Sequence, residues 1–472
     1  MIFDVAVLGG GPAGAAAAIA LRQRGRSVVL LERSTLDEWR PGELLSPQAR
    51  DALIILGVWD RFTALGPAPA HAIHVAWGTP EPYERDALLN AWGHGWTLDR
   101  QHFNKMLLAA AADAGANIHL GARPELRGEP GHWQLTVPAS PSTSSASKSG
   151  SDEHREFTAR TLLDATGRTA RIARTRGAEW RAHDRLVGVV ARTPPAATDP
   201  VLVIEAAEHG WWYSAPLPDG TIVVALMTDA DLHTGPAFFH AELARTTLTR
   251  ARLAAVPRDL PLHVRPAGSG RLLPASGPGW RAIGDAASTW DPLSGDGISR
   301  ALQSGLTAAD HLAGDGISRA LQSGLTAADN LPDDGISSAL RSGLTADNLP
   351  TSPNLHTFDQ YLDARATHYL REQRWPHALF WRRRHAPPPA QTPLTLDPTA
   401  TLHWPGTPPT QAPEAEALLA PAELTTLCTL CTPARPAADI VRAFRPHAPY
   451  RDDQRVIAAL QRLLSAGVLT RL

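Results

Sequence analysis

Apolar residues form a short block at Met1–Leu8, broken only by Asp4, then a small-residue stretch over Pro12–Arg24, then a second block ahead of Glu32. Strand, glycine turn, helix and strand over residues 2–33 make one βαβ unit. Helix-like and strand-like stretches alternate to about residue 137. Strand patterns return at Thr158–Ala165, Leu186–Arg192, Val201–Ala206 and Ile222–Met227. Trp211–Pro218 and Thr221–Thr228 flank Pro218-Asp219-Gly220, a turn signal, and so predict a hairpin. Near the end, Val456, Leu460, Leu463 and Leu464 fall on one helical face, with Gly467 as a stop.

Three stretches break this alternation. Pro138–Asp152 is Ser-rich without an apolar period and reads as a disordered excursion between strands. Residues 386–413 are rich in Pro and Thr and read as a linker. Between them, Gly295–Ala313, Gly314–Pro332 and Asp333–Pro350 repeat one theme, GDGISRALQSGLTAAD, with the first two copies differing only near their ends. Such near-identity indicates recent tandem duplication of one helix rather than a solenoid. The expectation is that the first copy fills the core position and the others are inserted helices.

At 472 residues the chain is too long for one core. A net charge of −2 offers no electrostatic reason for a nucleic-acid partner. Helix Ala437–Phe444 adds only Arg442 beside Asp439, although a winged-helix reading of 414–472 stays open. Two cysteines exclude a disulfide framework and fit a reducing compartment. With no leader pattern at Met1 and no membrane-length apolar run, a cytoplasmic protein without a membrane span is expected. Cys428-x-x-Cys431 lacks a second ligand pair and the histidines lack metal spacing, so no metal is expected. Trp39, Trp59, Trp133 and Trp404 read as packing residues, and His94, His102 and His209 as weak catalytic candidates.

The chemistry-bearing motif is Gly9-x-Gly11-x-x-Gly14, at the turn where a strand meets Pro12, Ala13 and the helix they open. These glycines permit a tight turn and close approach of backbone to a pyrophosphate, which the helix N-terminus attracts. Glu32, about 20 residues on, suits ribose hydroxyls and is followed by Arg33.

Further segments occur in the order of a known family. Arg281-Ala-Ile-Gly284-Asp285 with Pro292-x-x-Gly295-x-Gly297-Ile298 resembles the second flavin fingerprint of glutathione-reductase-type FAD proteins. Asp99-Arg100 resembles that family's Asp-Arg segment, and Arg40-Pro-Gly42-Glu43 resembles its loop near the flavin ring. The resemblance implies an α/β fold: a Rossmann-type FAD-binding domain (about 1–70, 98–185 and 270–385) interleaved with a substrate sheet (about 71–97 and 186–269), then the helical module. It implies that Asp285 holds the ribityl chain, that Arg100 approaches the FAD, and that the 292–298 turn sets amides and a helix start beside the ring.

Gly210-Trp-Trp-Tyr-Ser-Ala-Pro and Arg374-Trp-Pro-His resemble the branch holding tryptophan halogenases, geranylgeranyl-reductase-like enzymes and maturases that hydroxylate peptidyl tryptophan. There Trp211, Trp212 and Tyr213 stand where the substrate cavity is lined, with Glu43 as a further pocket candidate. Halogenases of this kind need a lysine that is missing from Met1–Asn104 and a turn that differs here at Ser294–Gly297, so halogenation is not expected. The resemblance points instead to a monooxygenase acting through a flavin C4a-hydroperoxide on an aromatic small molecule or a peptide tryptophan. The alternatives are a reductase of an isoprenoid or other apolar substrate, and an FAD-binding protein without turnover. Thr166 replaces the aspartate of enzymes that use NADPH directly, and no second glycine fingerprint exists. Electrons would therefore come from a transiently bound NAD(P)H or a separate flavin reductase.

Overall fold

The computed structural model describes residues 2–79, 81–86, 92–137, 154–194, 201–253, 259–313 and 358–385, and parts of 397–471. The Ser-rich stretch, the second and third repeat copies and residues 386–396 lie outside the described residues. The chain divides into two compact units. One comprises Met1–Thr351 with His368–Arg383, the other Ser352–Thr367 with Arg384–Leu472.

The first unit is built on a sheet whose parallel centre runs Trp280–Ala282, Arg155–Asp164, Ile2–Leu8, Val28–Glu32, Asn117–Leu120. Val28–Glu32 is buried throughout, as a strand covered on both faces must be. The antiparallel hairpin Glu125–Glu129 and His132–Val137 joins the outer stretch of Arg155–Asp164. The helix Pro12–Gln23 packs on this sheet and against the helix Gly297–Ala313, which is the first repeat copy. Both helices are rich in Ala at the contact. A side chain at Gly305 would place its Cβ 2.4 Å from the Ala13 carbonyl oxygen, so the two backbones nearly touch. Arg24 and the buried Asp310 form an ion pair that ties the far ends of the two helices together.

A second, seven-stranded sheet runs His263–Pro266, Leu186–Thr193, Ile222–Asp229, Gly210–Pro216, Leu202–Ala207, Ala72–Ala76, Tyr83–Asp86. The predicted hairpin is its centre, with Trp211 opposite Met227 and Pro216 opposite Ile222. Both faces are covered. Val190, Trp211, Val223, Ala225 and Met227 belong to one cluster, and Val189, Trp212, Val224, Leu226 and Phe239 to another. The fold is thus mixed α/β, a Rossmann-type sheet joined to a mostly antiparallel sheet in which Leu202–Ala207 and Ala72–Ala76 pair in parallel.

The second unit has its own apolar core of Leu424, Leu427, Ile440, Phe444, Val456, Leu460 and Leu463 among others. Leu464, read on the same face, is half-buried at its edge. Thr401–His403 pairs with Arg435–Pro436 and with Thr470–Arg471. This strand falls inside the stretch read as a linker, because Leu402 alone among its polar neighbours buries a side chain in that core. Cys428 and Cys431 are buried there as free thiols, and burial pushes them up to about 11 and about 12.

Candidate functional site

The ends of the parallel strands, the glycine turn and one face of the second sheet enclose a cavity of about 520 Å³. At the nucleotide end the two motif glycines have different work. A Cβ on Gly14 would sit 1.9 Å from the Gly9 carbonyl oxygen, so Gly14 is required by the helix packing on its own turn. Gly11 has ordinary extended backbone (φ −71°, ψ 179°), and a Cβ there would meet no protein atom within 4 Å. The protein itself does not need a glycine at 11, and the open space there leaves room for a ligand running along the helix N-terminus.

Glu32 ends its strand with the carboxylate turned to this turn. Oε2 accepts from the Gly10 amide at 2.6 Å, and Oε1 from the Ser34 amide and hydroxyl at 2.9 and 2.7 Å. Arg40 donates to the Ser34 hydroxyl at 3.0 Å, so the loop that carries Glu43 is tied to the same carboxylate. Arg33, Arg40, Arg100, Arg123, Arg168, Arg171, Arg265 and Arg300 all line the cavity. Such a concentration in a chain of net charge −2 suits a ligand with a pyrophosphate. Burial holds the Arg100 guanidinium down to about 10, opposed by the Asp285 and Glu43 carboxylates, and it remains charged at neutral pH.

At the other end Pro292–Ser294 forms a single turn capped by Asp291, whose carboxylate accepts from the Leu293 amide at 3.1 Å. Gly295 turns back at φ +66°, and the helix that starts at Gly297 presents its N-terminus to the cavity. Asp285 is half-exposed on the wall, 3.8 Å from Arg168.

Beyond this turn the cavity is lined by Val190, Trp211, Tyr213, Val223, Ala225 and Met227. Two buried polar atoms there make no hydrogen bond with the protein, Glu43 Oε1 and the Tyr213 hydroxyl. Glu43 Oε2 accepts from the Gly42 amide at 3.0 Å. Burial pushes the Glu43 carboxyl up to about 7, against the pull of nearby amides and of Arg100. Burial, with the Glu43 carboxylate nearby, drives the Tyr213 hydroxyl well above its ordinary range.

Of the residues singled out in the sequence, Gly9, Gly11, Pro12, Ala13, Glu32, Arg33, Arg40, Glu43, Arg100, Asp285, Pro292, Gly295, Gly297, Ile298, Trp211 and Tyr213 line this one cavity. Gly14 and Gly284 stand behind the wall; Gly284 sits where a Cβ would be 2.7 Å from that of Ala13. Trp212 points the other way. Strand alternation turns it into the opposite face, 5.0 Å from the Phe239 ring. No histidine appears among the described residues lining the cavity.

Several wall residues had no sequence signal: Arg123, Arg171 and Arg265 sit outside any motif, and Arg300 was read only as part of the repeat. Behind the wall, Tyr369 also had no sequence signal; its hydroxyl accepts from Trp211 Nε1 at 2.9 Å and donates to Asp291 Oδ2 at 2.8 Å. The open cradle at Gly11, the arginine-lined phosphate end and the helix start at Gly297 fit FAD.

The FAD binding domain model matches residues 3–329. LodB of Marinomonas mediterranea, assigned as an FAD-dependent oxidoreductase, is 28% identical over 400 residues, covering 81% of this chain and 97% of that protein. The flavin-dependent halogenase armH2 of Armillaria mellea is 27% identical, covering 65% of this chain and 64% of its own. Among solved structures, the peptidyl tryptophan dihydroxylase QhpG superposes with a TM-score of 0.58 at 24% identity, over 85% of this chain and 83% of that one. The flavin-dependent halogenase CmlS does so with a TM-score of 0.63 at 19% identity, over 100% and 96%. The chain therefore belongs to the FAD-binding-domain family and is an FAD-dependent oxidoreductase.

Proposed function

We propose that this chain is an FAD-dependent monooxygenase that hydroxylates an aromatic ring bearing an N–H, with a tryptophan side chain in a peptide as the leading substrate. The observation that carries this reading is the pair of unpartnered buried atoms, Glu43 Oε1 and the Tyr213 hydroxyl, in a cavity whose wall there includes Val190, Trp211, Val223, Ala225 and Met227. A wholly apolar substrate would leave both unsatisfied, at a cost of roughly 1–3 kcal/mol each. That weighs against the isoprenoid-reductase alternative. An indole satisfies them by donating its N–H to Glu43 and offering its π face or a neighbouring peptide carbonyl to Tyr213.

Bound FAD would supply the redox chemistry with molecular oxygen. One oxygen atom enters the ring and the other leaves as water, at the expense of two protons and of two electrons from NAD(P)H or a flavin reductase. The chain's own residues orient and exclude. Trp211, Val223 and Met227 wall off water. Glu43, titrating near neutrality, is suited to take the proton that the ring releases on hydroxylation.

Lys105, one of the two lysines, pairs with Asp37 at 2.9 Å and is not among the residues lining the cavity, while Lys148 lies outside the described residues. This argues against halogenation, despite the halogenases among the relatives. A cytoplasmic setting, with electrons from NAD(P)H or from a separate flavin reductase, completes the reading.

Coupling is the test. Reduced, FAD-loaded protein given oxygen should release less hydrogen peroxide per oxygen consumed when a tryptophan-containing peptide is present, and Glu43→Gln should lose that difference. Unchanged peroxide yield across indole-bearing peptides and small aromatics would count against the proposal.

A further inference from the structure

Trp211 of the cavity wall is one end of a run of indole rings that leads out of the site. Its ring centroid lies 6.4 Å from that of Trp77, Trp77 lies 5.4 Å from Trp381, and Trp381 is stacked on Trp375 at 6.2 Å and 21°. Trp211, Trp77 and Trp381 are buried, whereas Trp375 is part-exposed. Packing alone does not require four indoles in series, since aliphatic side chains fill such space without a polar N–H to satisfy. Each buried N–H is nevertheless satisfied: Trp77 by the His368 carbonyl at 3.3 Å, Trp381 by the Ala207 carbonyl at 2.9 Å, Trp211 by the Tyr369 hydroxyl. Those oxygen dipoles stabilise positive charge on the indoles. At Trp211 the stabilisation extends through Tyr369 to the Asp291 carboxylate. At the outer end Arg374 lies 4.5 Å from the Trp375 ring, but three hydrogen bonds from its guanidinium to Glu372, at 2.9, 3.1 and 2.6 Å, offset its charge.

We propose that Trp211, Trp77, Trp381 and Trp375 form an electron-transfer chain from the protein surface to the flavin cavity. When peroxide formed from oxygen arises in the cavity without substrate to consume it, Trp211 gives it one electron. The vacancy passes to Trp77, Trp381 and then Trp375, where a thiol in solution refills it. Two such passages, with two protons from solvent, reduce the oxidant by two electrons and convert two thiols to one disulfide. The cavity lining is thereby spared oxidation. Tyr369 touches Trp211, Trp77 and Trp381 and offers a parallel route around Trp77, so Trp381 and Trp375 are the links both routes share.

The proposal needs bound FAD but does not rest on hydroxylation, and light separates the two. Oxidised FAD excited by blue light in the anaerobic holoprotein serves as the oxidant, with dithiothreitol as donor. Loss of flavin absorbance should be an order of magnitude slower in Trp381→Phe and Trp375→Phe than in wild type, at equal FAD content. Trp59→Phe, away from the run, should match wild type. A laser flash on the unaltered protein should produce a tryptophan radical signal, and this needs no variant to fold. Bleaching of Trp375→Phe at the wild-type rate, or absence of that radical, would overturn the chain.

Discussion

Gly11 and Glu43 are the two positions where one side chain decides most. Since Gly11 has ordinary backbone angles and open space at its Cβ, Gly11→Val should leave the fold intact and remove the flavin. The measurement is flavin absorbance after purification, alongside an unchanged circular dichroism spectrum. Glu43 makes a prediction in pH. Its carboxyl titrates near 7 when folded against an ordinary 4.5, so its contribution to stability is full below the ordinary value and is lost as pH rises through 7. At about 1.4 kcal/mol per pKa unit the loss approaches ~3 kcal/mol. Thermal melts of the FAD-free protein should therefore show Glu43→Gln gaining on wild type at pH 8 and matching it near pH 4. The glycines and Glu32 were legible because their roles depend on spacing along one turn. Arg265 on the wall and Tyr369 behind it were not, because they come from elements far apart in sequence and no local rule records that meeting. Trp212 was misjudged for a simpler reason, since strand alternation already places it on the face opposite Trp211.

The pair of helices Pro12–Gln23 and Gly297–Ala313 links the repeat to the cofactor. The strand and hairpin positions were readable from period-two patterning, and the first helix from its glycine start. That this helix would meet the first repeat copy at backbone contact was not readable, because an alanine-rich surface carries little apolar signal of its own. The closeness makes a prediction. Gly305→Val places a Cβ within 2.4 Å of the Ala13 carbonyl oxygen, and the overpacking should cost about 1–3 kcal/mol. Urea unfolding should show that loss, and FAD affinity should fall as well, because the displaced helix carries Gly297 and Ile298 on the cavity wall. Deleting 314–332, one period of the repeat, removes none of these residues and should leave FAD content unchanged.

Two compact units divide the chain, and every described residue of the flavin cavity belongs to the first. The Rossmann-type architecture was evident from the order of strand, turn and helix. The short strand at 401–403 was hidden because a single buried Leu402 gives no periodic pattern. No helix among the described residues is long and apolar enough to cross a membrane. The account turns on what this protein does with oxygen, and isotope labelling tests that most directly. Reduced, FAD-loaded protein is mixed with ¹⁸O₂, a set of tryptophan-containing peptides and bromide, and the products are read by mass spectrometry. The account predicts one labelled oxygen atom in an aromatic product and no bromine. Brominated product, or oxygen turned over to peroxide with every peptide unmodified, would contradict it.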